Sequence, residues 1–470
     1  MRKLQKLEPQ KVFAFFEDLC AIPHGSGNTK EISDYCKNYA KKRGLFCIQD
    51  EHNNIIIKKD ATEGYEDRPA VILQGHLDMV CEKDADCEIN FETDGLDIYV
   101  DGDYIKARGT TLGGDDGIAV AMALAILDSD TLSHPALEVL FTTDEETGMY
   151  GAEGLDASLL SAKRLINIDT ESEGIFTVGC AGGARAELSL SLPLLPLDKD
   201  CVTVTVKGLL GGHSGTEIDK GRQNANIILA KFLGTLPSFR LVSINGGLKD
   251  NAITARSECV LYCENITKDM AEEFANSIRV DTDSGLEIII SNAGKCSFAA
   301  DEATSKKAVE FLLALPNGVQ NMSCDIEGLV ETSLNLGILK TEDSKICASF
   351  AVRSSVGTEK TALLSKLEKT AKEFGAEYSS HGHYPAWEYK KYSPLRDCML
   401  KTYKEFYGGE PVVEIIHAGL ECGLFSEKIE GLDTVSIGCN VDYIHTPREQ
   451  LSISSAERTF RFLCKTLENL

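Results

Sequence analysis

The sequence predicts an α/β domain with helices on both faces of a mixed sheet, interrupted by an inserted α+β domain. Three observations carry this. Short apolar runs alternate with helical patterns in the first part of the chain and return near its C-terminus. Strand patterns of period two occupy the middle. At roughly 100–200 residues per domain, a chain of 470 residues is too long for one core.

Taken in order, Ala70–Leu73 is an apolar run that ends in Gln74-Gly75-His76. Gly117–Leu127 is an Ala-rich helical pattern behind a Gly-Gly turn. Leu137–Phe141 and Arg164–Ile168 read as further strands, and Thr434–Ile437 as one more near the other end. Short apolar strands separated by helices are the mark of a sheet covered on both faces. In the middle, Val202–Val206 alternates Val and Thr, the pattern of a half-exposed antiparallel strand. Ile218–Leu236 reads as a helix, as do Thr267–Ile278, Ala303–Leu315 and Glu359–Phe374. Leu241–Ile244, Ser257–Cys263, Leu286–Ile290 and Ile346–Val352 read as strands. The expected domains are therefore 1–185 with 385–470, and an insertion over 186–384. The Leu-Pro-rich stretch 191–197 is expected at the first crossover and 381–387 at the second.

Charge narrows the partners. Lys+Arg is 48 against 73 Asp+Glu, a formal charge of −25. A field of that sign repels phosphate backbones and anionic lipid, so neither nucleic acid nor a membrane surface is expected. The longest apolar run, Ile118–Leu127, is short of the ~20 residues that span a bilayer. The N-terminal apolar stretch is only Val12–Phe16, followed by Glu17 and Asp18, which reads as an amphipathic helix and not a signal peptide. Sixteen cysteines without a CxxC pair read as thiols in a reducing cytoplasm. Cys259 and Cys263 read as parts of one strand.

Acids and imidazoles stand at strand ends. The first strand runs into His76 and Asp78, the second into Asp144-Glu145-Glu146, the third into Asp169, and the last feeds a loop with His445. The turn Leu112–Gly117 adds Asp115 and Asp116. In open α/β sheets ligands sit at the carboxyl ends of the strands, so these residues can meet at one edge. Each has an ordinary explanation when taken alone. Asp78 could solvate a turn, Asp115-Asp116 could cap a helix, and the acidic triplet could be a solvated loop. Together, two imidazoles with three or four carboxylates suit zinc, cobalt or manganese. Five or more such ligands exceed one tetrahedral ion and suffice for two ions sharing a bridge.

The order of segments resembles the M20 metallopeptidase family, within it the aminoacyl-histidine (Xaa-His) dipeptidase branch related to carnosine-cleaving peptidases. The segments are QGHLDMV at 74–80, LGGDDGI at 112–118, TTDEETGMYGA at 142–152, LINIDTE at 165–171, GLLGGHSG at 208–215, NAIT at 251–254 and IHTPRE at 444–449. The resemblance implies a zinc-peptidase-like catalytic domain and an inserted lid or dimerisation domain. It implies that His76, Asp115, Glu146, Asp169 and His445 hold two divalent ions, zinc by expectation, with cobalt or manganese able to substitute. Asp115 would bridge them, Asp78 would orient the His76 ring, and Glu145 would be the general base. An Asp at position 169 goes with peptidases that act near a free amino group, and a Glu with deacylases and carboxypeptidases. Asp116 departs from the Asn common in relatives.

In the insertion, the resemblance makes His213 an oxyanion contributor, reached by lid closure or from a second subunit; GGHSG alone reads as a loop. Asn251 and Arg353 are weaker substrate candidates. Arg353 follows an expected strand and could hold a terminal carboxylate, with a surface salt bridge as the competing reading. Glu421 in AGLECGLF would lie near the substrate. His52, His134 and His417 show no partner pattern, His24 sits in a Gly-Ser turn without a phosphate-loop pattern, and His381 and His383 read as loop residues at the second crossover. The expected protein is a cytoplasmic homodimeric metallo-dipeptidase acting on small peptides with free amino termini, Xaa-His including β-alanyl-histidine. The rivals are an N-acyl amino acid deacylase or amidase on the same scaffold, and a non-catalytic binding protein.

Overall fold

The computed structural model describes residues 2–324 and 326–470. The chain forms two compact units. Unit 1 comprises 1–179, 389–415 and 420–470, and unit 2 comprises 180–388 and 416–419.

Unit 1 is built on a mixed sheet. Its four central strands lie in the order Leu137–Thr142, Val71–His76, Arg164–Asn167 and Asp433–Ser436, all parallel. Phe46–Gln49 and Ile55–Lys59 extend one side antiparallel, and Ile175–Cys180 runs antiparallel to Asp433–Ser436 on the other. Parallel strands deliver their carboxyl ends to one edge, which is where His76, Asp144–Glu146 and Asp169 emerge. Val71–His76 and Leu137–Thr142 are buried throughout, as strands covered on both faces must be. Ile72, Leu140 and Leu165 share a core with Leu424, Phe425 and Ile429 on one face. On the other face runs helix Gly114–Asp128, apolar on all sides and buried from Gly117 to Leu127. Gly75 is required there: a Cβ would lie 2.8 Å from Ala119 Cβ and 2.5 Å from Asp116 Oδ2.

Unit 2 is an antiparallel sheet whose main path runs Glu287–Ala299, Leu195–Lys207, Ser257–Tyr262, Arg240–Gly246, Val330–Glu342, Lys345–Ser354, Gly182–Ser191 and Glu377–Tyr384. Alternate strand residues such as Leu188, Val204, Leu261 and Phe350 share one core with Leu229 and Phe232, Phe311 and Leu312, and Leu363 and Leu367 from three helices. Period-two strands against amphipathic helices are the α+β arrangement expected of the middle of the chain.

Three local expectations differ. The helix expected from Ile218 begins at Ala225. Gly221 at φ +70° turns the backbone away, and the Asn224 side chain caps the helix by accepting from Asn226 N at 2.9 Å. The Leu-Pro stretch 191–197 lies wholly inside unit 2, where it joins two strands; the chain passes between units at Gly179 and at Glu388. Gly182 sits just past that passage, where a Cβ would come within 2.5 Å of Ala386 N. His381 and His383 lie on a strand, with His381 opposite Arg185 in register.

Candidate active site

At the carboxyl edge of the unit 1 sheet, Asp115 stands between two imidazoles. Its Oδ1 is 3.1 Å from His76 Nε2 and its Oδ2 is 3.3 Å from His445 Nε2. Asp169 Oδ1 lies 3.6 Å from His76 Nε2, and Glu146 Oε1 lies 3.0 Å from His445 Nε2. These contacts set His76 with Asp115 and Asp169, and His445 with Asp115 and Glu146; ligand atoms of His76, Asp116 and Asp169, and of His76, Asp115 and Glu146, also lie within 4.8 Å of one another. In a tetrahedral site with bonds of 2.0–2.1 Å, neighbouring ligand atoms are about 3.3 Å apart. The observed separations bracket that edge, so the residues fit two divalent ions sharing a carboxylate. His445, with 45% of its side chain exposed, forms the open side.

Each ligand is placed by a definite contact. His76 ends its strand, and its Nδ1 lies 2.9 Å from the Asp78 carbonyl, which leaves Nε2 aimed at the carboxylates. Asp78 thus orients the ring through its backbone, with its carboxylate at 3.5 Å. That carboxylate accepts from Ser26 Oγ at 2.7 Å and from the amides of Glu145 and Glu146 at 3.1 and 3.4 Å, so it also fixes the acidic loop. The loop turns through Asp144 at φ +55°, and Asp144 Oδ1 accepts from Gly27 N at 2.6 Å. His445 is likewise held at positive φ, +59°.

The electrostatics show a centre short of positive charge. Hydrogen bonds to Asp115 and Glu146 raise His445 to about 10. Burial, and then the charges of Asp115 and Glu146, raise Asp169 to about 6 against the pull of His76. Burial resists ionisation of Asp115, yet the imidazoles of His445 and His76 hold it well below the usual carboxylate range. Glu145 is pushed well above its ordinary value, first by burial and then by Asp169, Glu421 and Glu146, with His76 opposing.

Asp116 is buried and does not cap its helix. Its Oδ2 accepts from the His76 amide at 3.1 Å, and burial with the nearby Asp169 and Asp115 charges raises it well above the usual carboxylate range.

Sequence reasoning assigned no role to Glu449 or His417. The buried Glu449 carboxylate accepts from the amides of Leu112, Gly113, Gly114 and Asp115, at 2.8, 3.3, 2.7 and 3.4 Å. It anchors the turn that presents Asp115, and its place four residues after His445 was the available signal. Glu421, set beside the substrate by resemblance, is fully buried: Oε2 accepts from Gln74 Nε2 at 2.6 Å and Thr142 Oγ1 at 2.8 Å.

Unit 2 gathers the remaining candidates around one corner. Gly212-His213 pairs with Ala252-Ile253, and Ser214 N donates to the Asn251 carbonyl at 2.9 Å, which places Asn251 beside the His213 turn. The amides of Gly215 and Thr216 both point at His213 Nδ1 at 3.3 Å, so Nδ1 accepts and Nε2 carries the proton. Burial and then Arg353 lower the His213 pKa, keeping the ring neutral with Nε2–H as a donor. Arg353 donates from Nη1 to Tyr384 OH at 3.0 Å. Ser333, opposite Arg353 in the ladder, contacts His417 Nε2 at 2.8 Å. Arg353 Nε and His417 Nδ1 are buried with no hydrogen-bond partner among the described residues.

Residues 72–469 match the profile of Peptidase family M20/M25/M40. The cytosol non-specific dipeptidase of Escherichia coli (strain K12) is 36% identical over 482 aligned positions, covering 100% of this chain and 99% of that protein. The crystal structure of an aminoacylhistidine dipeptidase from Vibrio alginolyticus superposes with a TM-score of 0.94 at 33% identity, covering 99% of this chain and 97% of that one. An aminopeptidase, PepT, from Bacillus cereus shares the fold at a TM-score of 0.57 and 16% identity, covering 98% and 99%. The expected architecture, a catalytic α/β domain with an inserted α+β domain, is thus the fold of these proteins.

Proposed function

We propose that this chain, which belongs to Peptidase family M20/M25/M40, is a two-metal dipeptidase that hydrolyses short peptides with a free amino terminus. The observation that carries the reading is Asp115, whose two oxygens face one imidazole each, with Glu145 beside them. His76, Asp115 and Asp169 would hold one ion and His445, Asp115 and Glu146 the other. Zinc is the expected metal, with cobalt or manganese able to replace it. When bound, such ions supply Lewis acidity and bring the pKa of a water from 15.7 toward about 7.

The chain's own residues do the rest. Glu145 takes the proton of the attacking water and delivers it to the leaving amine. Asp78 keeps the His76 ring and the Glu145 amide in place. His213 donates from Nε2–H to the developing oxyanion. Arg353 pairs with the peptide's terminal carboxylate, and Asn251 holds the His213 turn. A homodimer is proposed, with unit 2 as lid and dimerisation unit. Cytoplasmic residence is proposed on the buried free thiols of Cys20, Cys36, Cys259 and Cys439. Among the described residues no helix is long and apolar enough to cross a membrane.

The relatives' names point to two breadths of substrate, dipeptides in general and aminoacyl-histidines. A panel of Xaa-His and other dipeptides, β-alanyl-histidine and N-acetyl amino acids separates the possibilities. It is run on chelator-treated protein with Zn²⁺, Mn²⁺ or Co²⁺ restored. Metal-dependent cleavage of dipeptides is expected, with a reproducible stoichiometry of two ions per chain by elemental analysis. Turnover of the N-acetyl series alone would make it a deacylase, and turnover of neither would leave a binding protein.

A further inference from the structure

Beside the metal ligands, wholly within unit 1, lies an open cavity of about 530 Å³. Glu146 and Thr147 form one wall, so it borders the proposed reaction site directly. A second wall is Gly25-Ser26 against Met79, where Ser26 N donates to the Met79 carbonyl at 3.3 Å and Met79 N to the His24 carbonyl at 3.1 Å. Ser26 Oγ also bonds Asp78, which ties this wall to the His76 ring. Gly25 is needed for the shape: a Cβ would stand 2.4 Å from Cys81 Sγ. The volume falls within the roughly 300–1,000 Å³ of small-ligand pockets.

The lining is selective. Met79, Val80, Cys81, Ile89 and Phe91 supply apolar surface. The charged groups are Glu92, Glu146 and Lys83, and the Lys83 ammonium donates to the Ile89 carbonyl at 2.8 Å. A dipeptide carries an ammonium at one end and a carboxylate at the other. The lining carries two carboxylates against one ammonium, a balance that favours a dipeptide's ammonium end over its carboxylate end. We propose that this cavity receives the side chain of the substrate's amino-terminal residue, and that Cys81 sets the size it admits. The proposal rests on the dipeptidase reading and refines it to peptides with bulky apolar first residues as well as small ones.

The test replaces Cys81 by Ala, Leu and Phe and measures kcat/KM for glycyl-glycine, phenylalanyl-glycine and glycyl-phenylalanine on metal-loaded protein, with thermal melts as a fold control. The phenylalanyl-glycine to glycyl-glycine ratio should fall in the order Ala, Leu, Phe. The drop should reach at least about 10-fold in Cys81→Phe, since a single methylene in an apolar pocket is worth 10–200-fold. The glycyl-phenylalanine to glycyl-glycine ratio should hold within about twofold. If Cys81→Phe does not fold, the Ala and Leu variants still supply the gradation. Ratios that do not move, or a glycyl-phenylalanine ratio that falls instead, would overturn the assignment while leaving dipeptide cleavage intact. A wild-type protein that cleaves no dipeptide would overturn the hydrolase reading and this assignment with it.

Discussion

Glu421 Oε2 lies 2.6 Å from Gln74 Nε2, within a buried polar chain that runs across the ligand-bearing strands. Gln74 Oε1 accepts from Asn167 Nδ2 at 2.6 Å, and Asn167 Oδ1 accepts from Ser436 Oγ. Gln74, Asn167 and Ser436 lie on adjacent strands, two of which end at His76 and Asp169. Burial raises the Glu421 carboxyl to about 8, with Asp169 and Asp78 adding to it and His76 and Thr142 opposing. Its stabilising contribution is present below pH 4.5, the ordinary glutamate range, and is lost as pH rises through about 8. Glu421→Gln should therefore flatten stability against pH over that window while keeping the Gln74 contact. Glu421→Ala should cost about 1–3 kcal/mol by removing the buried acceptor that Gln74 Nε2 and Thr142 Oγ1 share. Urea midpoints of both variants between pH 5 and 8 check this.

Glu145 and Glu146 are adjacent and chemically alike, yet their neighbours differ: Glu146 touches His445, and Glu145 does not. Glu145→Ala should keep both metals and lose turnover by at least ~10²-fold, within the 10²–10⁴ of general acid–base catalysis. Glu146→Ala should bind one ion more weakly and recover partly at high metal concentration. Metal analysis and activity titrated against Zn²⁺ or Mn²⁺ distinguish them. Metal loss in Glu145→Ala with retention in Glu146→Ala would exchange the two roles. Normal turnover in both would deny the pair a part in catalysis.

His213 offers Nε2–H because its Nδ1 is occupied by two amides. His213→Ala should lower kcat by about 10²–10³ with KM little changed and metal content unchanged. His213→Gln, which retains a side-chain N–H, should recover part of the loss. Wild-type kcat in the Ala variant would make GGHSG a loop without chemistry.

His417 is held neutral. Burial first, then Arg353 and His213, push it down to about 4. Unfolded, it takes a proton near 6.5; folded, it resists until about 4. Its contribution is intact above pH 6.5 and drains away as pH falls toward 4, on the order of 3 kcal/mol in all. Wild-type unfolding midpoints should drop over that range, and His417→Gln should show a shallower drop. Parallel curves for the two proteins would contradict the assignment.

His76 and Asp169 were legible as strand-end residues because each follows a short apolar run, Val71–Gly75 and Arg164–Ile168, and parallel strands fix where their ends go. Asp115 on its turn and His445 in its loop had no such signal, and the ligand roles were implied by the resemblance. The role of Glu449 was not legible: its place four residues after His445 marked it, but its partners, the amides of Leu112 to Asp115, lie over 330 positions away. His417 was invisible for the same reason, since Ser333 and Arg353 meet it only through the folded ladder. The helix expected from Ile218 failed because apolar spacing does not register a left-handed turn at Gly221. A cap was one reading of Asp116 because a helix start is local, while the His76 amide it meets belongs to a strand 40 residues earlier.

His445 and Glu449 stand near the chain's end, and strand Asp433–Ser436 completes the parallel array beside Arg164–Asn167. Four of the five ligands are already translated by residue 169, but the fifth follows roughly 280 residues later, about 15–55 s at 5–20 residues per second. During that interval the nascent chain holds neither the clamp on the Gly-Gly-Asp turn nor the second imidazole. A growing polypeptide that has not reached residue 445 therefore lacks one imidazole of the proposed centre and the clamp on its central carboxylate. On that assignment, metal capture waits for a segment far from the other four residues in the chain.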